Sequence, residues 1–183
     1  MDIVIASIIA VAFGVIFWAW NLLWNGPADV IPLPGRAVIY GMWLVPAVLG
    51  ALILRKPGAA FYTLTVASLV SVALGTSWGW TIAIQGPLEA LGAEVIFALF
   101  FYRVYRLPVA LLAGAAAGVV AALYDAFVWY GDTSWATMRF PYILITAASS
   151  LVIAGLGSAA LTKALAQTGV LDRFAAGRER ALV

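Results

Sequence analysis

The sequence predicts an all-α integral membrane protein, a bundle of six transmembrane helices, and three observations carry that reading. Hydrophobic residues make up 65 % of the 183 positions and charged residues only 10 %, with a mean hydropathy of +1.06. Soluble domains run at about 45–50 % apolar and about 25 % charged, so a water-facing surface cannot be assembled from this composition. The apolar residues also fall into six runs, each near the length of about 20 residues that an α-helix needs to cross a hydrocarbon layer of about 30 Å.

The six segments run from Asp2 to Trp24, Ala37 to Leu54, Gly58 to Gly75, Ile82 to Tyr102, Leu107 to Tyr130 and Phe140 to Leu161. Span 1 is too long for the h-region of a secretory signal and has no basic n-region before it, so it is expected to remain in the mature protein. Gly26, Pro27, Pro32, Pro34 and Gly35 mark the loop to span 2. Pro57, Pro108 and Pro141 stand at segment starts, where a missing N–H costs little. Pro46 and Pro87 fall inside spans and are expected to kink them. The remainder, about residues 163–183, is polar and mixed in charge and reads as a cytoplasmic tail, a short helix or a frayed end, of one single domain spanning 1–183.

Basic residues give the orientation. Arg55, Lys56, Arg103, Arg106, Lys163, Arg173, Arg178 and Arg180 lie on one side of an even-numbered bundle, and Arg36 and Arg139 on the other. The positive-inside rule makes the first side cytoplasmic, with both termini inside and the protein in the plasma membrane. Cys and His are both absent. That excludes disulfide frameworks, the usual zinc sites and catalytic groupings built on either residue, and no metal or cofactor is expected. There is no phosphate loop of the G-x-x-x-x-G-K-[ST] type, no evident internal repeat, and no basic patch that would suit nucleic acid.

Acidic and amide groups inside apolar spans are costly, about 2.5–3.5 kcal/mol each for a carboxylate on insertion scales, and so ask for a reason. Glu94, Glu89 and Gln85 follow one another up span 4, and Asp125 lies in the outer part of span 5. With no Lys or Arg inside a span to neutralise them, they suit a cation. Trp18, Asn21, Trp78, Trp80 and Tyr142 are placed in the same outer half, where aromatic faces and carboxylates together would hold a cationic aromatic molecule. Part of that aromatic set has the simpler reading of an interfacial belt. The segment Gly75 to Trp80, with Gly hinges, is a candidate lid. Near the other end of span 1, Ala6, Ala10 and Gly14 recur every fourth residue, a small-residue stripe that suits close helix docking.

Several strings resemble the YkoE family of substrate-binding S components of energy-coupling-factor (ECF) transporters. They are Asp2-Ile-Val-Ile-Ala-Ser7, the run from Ala12 to Asn21, Gly41-Met-Trp-Leu-Val-Pro46, Leu54-Arg-Lys-Pro-Gly-Ala-Ala60 and Leu91-Gly-Ala-Glu-Val-Ile-Phe-Ala98. The resemblance implies an S-component-like six-helix bundle that is not itself an enzyme. It would capture thiamine or a hydroxymethylpyrimidine precursor from outside. A transmembrane coupling subunit and two cytoplasmic ATPase subunits would be its partners. It implies that Glu94, within the Gly-Ala-Glu string, recognises the pyrimidine, and that the stripe Ala6, Ala10, Gly14 docks on the coupling subunit. Two other readings remain open on residues alone: a proton-coupled carrier using Glu94 and Glu89, and a membrane assembly protein whose acidic groups pair with a basic helix. An intramembrane enzyme using Glu94, Asp125 or Tyr124 is limited by the lack of His and Cys.

Overall fold

A computed structural model describes residues 2–178, and all regular structure among them is helical. Helix α1 spans Asp2–Asn25; α2, Val45–Leu54, continues a 3₁₀ segment, Gly35–Leu44; α3 spans Ala59–Ala73, α4 Ile82–Leu99 and α5 Leu107–Val128. The last long rod combines a π segment, Trp135–Arg139, with α6, Phe140–Ser150, a second π segment, Leu151–Leu156, and α7, Gly157–Gln167. A short α8, Ala175–Arg178, follows. Five helical stretches are long and apolar enough to cross a membrane, and the third expected span is a shorter apolar helix, Ala59–Ala73. Apolar side chains such as Ile3, Val4, Ile8 and Leu22 on α1 and Leu144 on α6 point outward, as lipid-facing groups do.

The bundle closes tightly because small residues stand where helices cross. A Cβ on Gly92 of α4 would come within 2.8 Å of Ala117 Cα on α5, and one on Gly114 of α5 within 2.6 Å of Ser150 O. Ala90, Ala93, Ala110, Ala113, Ala117 and Ala121 are fully buried along the same contacts. Such backbone approach replaces hydrophobic driving force with packing, as expected where lipid is the solvent.

Pro46 lies inside the span Gly35–Leu54, where the 3₁₀ segment gives way to α2, and Pro87 lies inside α4. The ends of two expected spans are corrected. The fourth span stops at Leu99, since Phe101 and Tyr102 take left-handed φ values of 54° and 53°. The last span runs from Trp135 to Gln167, well past both expected ends, and so takes in Arg139 and Lys163. Arg139 is buried with its guanidinium 4.8 Å from the Trp135 ring. Within the expected tail the short helix α8 forms, and Leu171, Phe174 and Ala176 are buried; the end of that tail, residues 179–183, lies outside the described residues.

The stripe on span 1 also has a different partner from the one expected. Ala6 and Ala10 are buried, and a Cβ on Gly14 would meet Val70 Cβ at 2.5 Å and Ala67 O at 2.9 Å. Those residues belong to α3, so the stripe is an internal helix contact. The exposed face of α1 is the opposite one, carrying Val4, Ile8, Val11 and Val15.

Candidate substrate cavity

At the bundle end remote from Arg55 and Arg103, the chain surrounds a cavity of about 560 Å³, mouth included. Its floor is a polar network among otherwise apolar helices. Gln85 and Glu89 stand one turn apart on α4, the spacing that puts both on one face. Asp125 comes from α5, Tyr142 from α6 and Tyr40 from the 3₁₀ segment. Gln85 Nε2 donates to Glu89 Oε1 at 2.8 Å and to Asp125 Oδ1 at 3.0 Å. Tyr40 donates to Glu89 Oε1 at 2.9 Å, and Tyr142 to Asp125 Oδ2 at 2.6 Å. Both carboxylates are 4 % exposed. Glu89 Oε2 accepts no hydrogen bond among the described residues, which leaves it available to a ligand.

Aromatic walls enclose this floor. Trp24, Trp43, Trp78 and Trp129 line the cavity with Phe17, Tyr40, Tyr130 and Tyr142. Trp43 packs edge to face on Trp24 and on Tyr40, with ring centroids 5.0 Å apart in each pair, and Trp78 does so on Trp129 at 5.2 Å. The 3₁₀ geometry contributes here: with about three residues per turn, Ala37, Tyr40 and Trp43 stack on one face. Two of those three line the cavity, and Ala37 is fully buried behind them.

Asn21 ties the loop over the mouth. Its Nδ2 donates to Thr76 Oγ1 at 2.7 Å, and its Oδ1 accepts from Trp78 Nε1 at 3.1 Å. Gly75 and Gly79 flank these two contacts at φ 82° and 63°, conformations that glycine adopts without strain. Arg36 lies over the Trp24 ring and is ion-paired with Asp29. No Lys or Arg among the described residues lines the cavity.

Of the residues expected at the site, Asn21, Trp78, Gln85, Glu89, Asp125 and Tyr142 are brought together, and Trp18, Trp80 and Glu94 are not. Trp18 is 39 % exposed and Trp80 78 % exposed, both turned outward. Stepping four residues at a time along a helix advances about 40° beyond a full turn per step, so a row begun at Ala6 has drifted about 120° by Trp18. Phe17 takes the inward position instead. Glu94 lies toward the basic end, where Oε1 accepts from Gly58 N at 2.6 Å and Oε2 from Phe61 N at 3.0 Å. It therefore satisfies the first turn of α3, whose cap position is a glycine with no side chain to offer. In the loop beyond α4, burial first and then the Glu94 charge push the Tyr105 phenol up to about 12, against a lowering by Arg55. The sequence does not single out Tyr40 and Trp43, because aromatic residues in an apolar run carry no signal of their own.

Comparison with known proteins agrees with this architecture. Residues 1–120 match the family model described as the permease component of an ABC-type cobalt transport system. The chain is 35 % identical over 182 residues to YkoE of Bacillus subtilis (strain 168), named as an HMP/thiamine permease protein, with 97 % of this chain and 89 % of that one covered. It superimposes on the crystal structure of an S component of an ECF transporter with a TM-score of 0.93 at 34 % identity, covering 98 % of this chain and 91 % of that one. A multi-pass helical bundle, an aromatic cavity with buried acids, and likeness along nearly the whole chain converge: the protein belongs to the YkoE family of ECF-transporter S components.

Proposed function

We propose that this S component captures thiamine or its hydroxymethylpyrimidine precursor in the cavity built on Gln85, Glu89 and Asp125. The observation that carries the reading is the charge of the lining: two buried carboxylates, four indoles and no cation among the described residues. Thiamine joins a cationic thiazolium to an aminopyrimidine. The free Glu89 Oε2 offers a charge-assisted acceptor to the amino group, and the Trp faces cover the rings. A desolvated cation–π contact contributes about 2 kcal/mol. The relative's name, which pairs HMP with thiamine, supports the same class.

In this reading all six apolar helices span the membrane, with α3 as the short third span. The end bearing Arg55, Lys56, Arg103 and Arg106 faces the cytoplasm of the plasma membrane, both termini are inside, and the cavity opens outward. The chain performs no covalent chemistry. A transmembrane coupling subunit and two ATPase subunits, the latter hydrolysing ATP, would return the loaded site to the inner side. Among the residues expected at the site, the pyrimidine-recognising role passes from Glu94 to Glu89.

Titration of the detergent-purified protein with thiamine, hydroxymethylpyrimidine and an unrelated vitamin, followed by calorimetry and by tryptophan fluorescence, tests the reading. Saturable binding of thiamine or its pyrimidine half, and none of the unrelated vitamin, is expected. Absence of binding by both overturns it.

A further inference from the structure

We infer that the cavity admits its ligand only in the non-phosphorylated form, an inference that rests on the capture reading and adds a charge filter to it. The filter follows from where the donors and charges stand. Every charge on the lining is negative, Glu89 and Asp125. The donors closest to them are already engaged: Tyr40 and Gln85 on Glu89, Tyr142 and Gln85 on Asp125. Higher up, the Trp78 indole donates to Asn21 and the Trp129 indole lies 3.4 Å from Gln85 Oε1. Arg36, over the Trp24 ring that lines the cavity, is neutralised, since it is paired with Asp29 and also donates to the carbonyls of Ile31 and Trp24.

A phosphate monoester carries about −1.5 to −2 charge at neutral pH and needs several donors or a cation to replace its water. This cavity supplies two carboxylates and, among the described residues, no cation, and its other donors, such as the Ser71 and Tyr130 hydroxyls and the Trp24 and Trp43 indole N–H groups, are neutral. A phosphoryl group would stand against two carboxylates in a wall of aromatic rings, with the dielectric lowered by the same burial that strengthens cation binding. The free alcohol or the bare cationic heterocycle meets no such opposition. The consequence for the ligand's history is that any phosphorylated form outside must first undergo phosphoester hydrolysis, and transfer of a phosphoryl group to the ligand can only follow uptake.

Calorimetric titration of the purified full-length chain with thiamine, thiamine monophosphate and O-acetylthiamine separates charge from bulk, because the acetyl ester extends the same oxygen without charge. The expected result is O-acetylthiamine within about tenfold of thiamine and the monophosphate at least 100-fold weaker. Glu89→Gln and Asp125→Asn should narrow the gap between thiamine and its monophosphate by tenfold or more, and the ester comparison on the unaltered protein stands even where a variant fails to fold. A monophosphate within tenfold of thiamine overturns the filter and leaves capture intact. So does an ester as weak as the monophosphate, which would make the barrier steric, or a gap unchanged in both folded variants. Binding of neither thiamine nor hydroxymethylpyrimidine overturns the capture reading itself.

Discussion

Glu94 on α4 accepts a 2.6 Å hydrogen bond from the backbone N–H of Gly58, 36 residues earlier in the chain, and so caps a helix to which it does not belong. Its second oxygen takes the N–H of Phe61 in the same first turn. A carboxylate at a helix N-terminus meets both the unsatisfied donors and the positive end of the macrodipole. Glu94→Ala should therefore lower stability by about 1–2 kcal/mol, the cost of a lost cap, while thiamine affinity stays within about twofold. Thermal unfolding in detergent beside a binding isotherm checks this. A tenfold loss of affinity at unchanged stability would return Glu94 to the ligand.

The contact between α1 and α3 makes a second prediction. Gly14 admits no side chain, since its Cβ would fall 2.5 Å from Val70 Cβ. Gly14→Leu should destabilise the isolated chain by at least about 1–3 kcal/mol through overpacking. Ile8→Ala, on the exposed face of the same helix at 58 % exposure, should cost under about 0.5 kcal/mol. Unfolding temperatures of the two variants decide the matter; equal values would mean that α1 is not held against α3 as described.

Much of this is legible in the sequence. Gln85, Glu89 and Asp125 announce themselves because a polar side chain in an apolar span must be satisfied by something, and here they satisfy one another. Asn21 is found by the same signal. What the sequence concealed depends on helix phase and on partners distant along the chain. Glu94 is as conspicuous as Glu89, yet its partners are two backbone N–H groups on α3, and no side-chain pattern marks a trans cap. Trp18 and Phe17 are neighbours about 100° apart on α1, so a small error in phase exchanges the outward ring for the inward one. Tyr40 and Trp43 were hidden by their surroundings, because nothing in an apolar run foretells ten residues of 3₁₀ helix.

Gln85 is the shared clamp of the two carboxylates, and its loss should be felt at both. Gln85→Leu removes an N–H₂ that both acids accept from, so neither carboxylate is held in position by it and both lose a donor in a desolvated site. Thiamine affinity should fall at least tenfold, about 1.4 kcal/mol. Calorimetry tests the variant; undiminished binding by Gln85→Leu would mean that the two acids do not need the clamp.

The last prediction separates the tryptophans. Trp24, Trp43, Trp78 and Trp129 line the cavity, whereas Trp80 is 78 % exposed beyond it. A ligand ring stacked inside should therefore quench emission through the first group. Trp80→Phe should preserve both the affinity and the fractional quench measured on the unaltered protein. Trp129→Phe removes the indole that lies over Gln85 Oε1 and packs on Trp78, so it should reduce the quench and weaken binding about fivefold or more. Fluorescence and calorimetry must be read together, because a lost quench with full heat identifies only the reporter, while a lost quench with lost heat places the residue against the ligand. The reverse pattern, quenching abolished by Trp80→Phe and untouched by Trp129→Phe, would move the ligand out of this cavity and onto the outer loop.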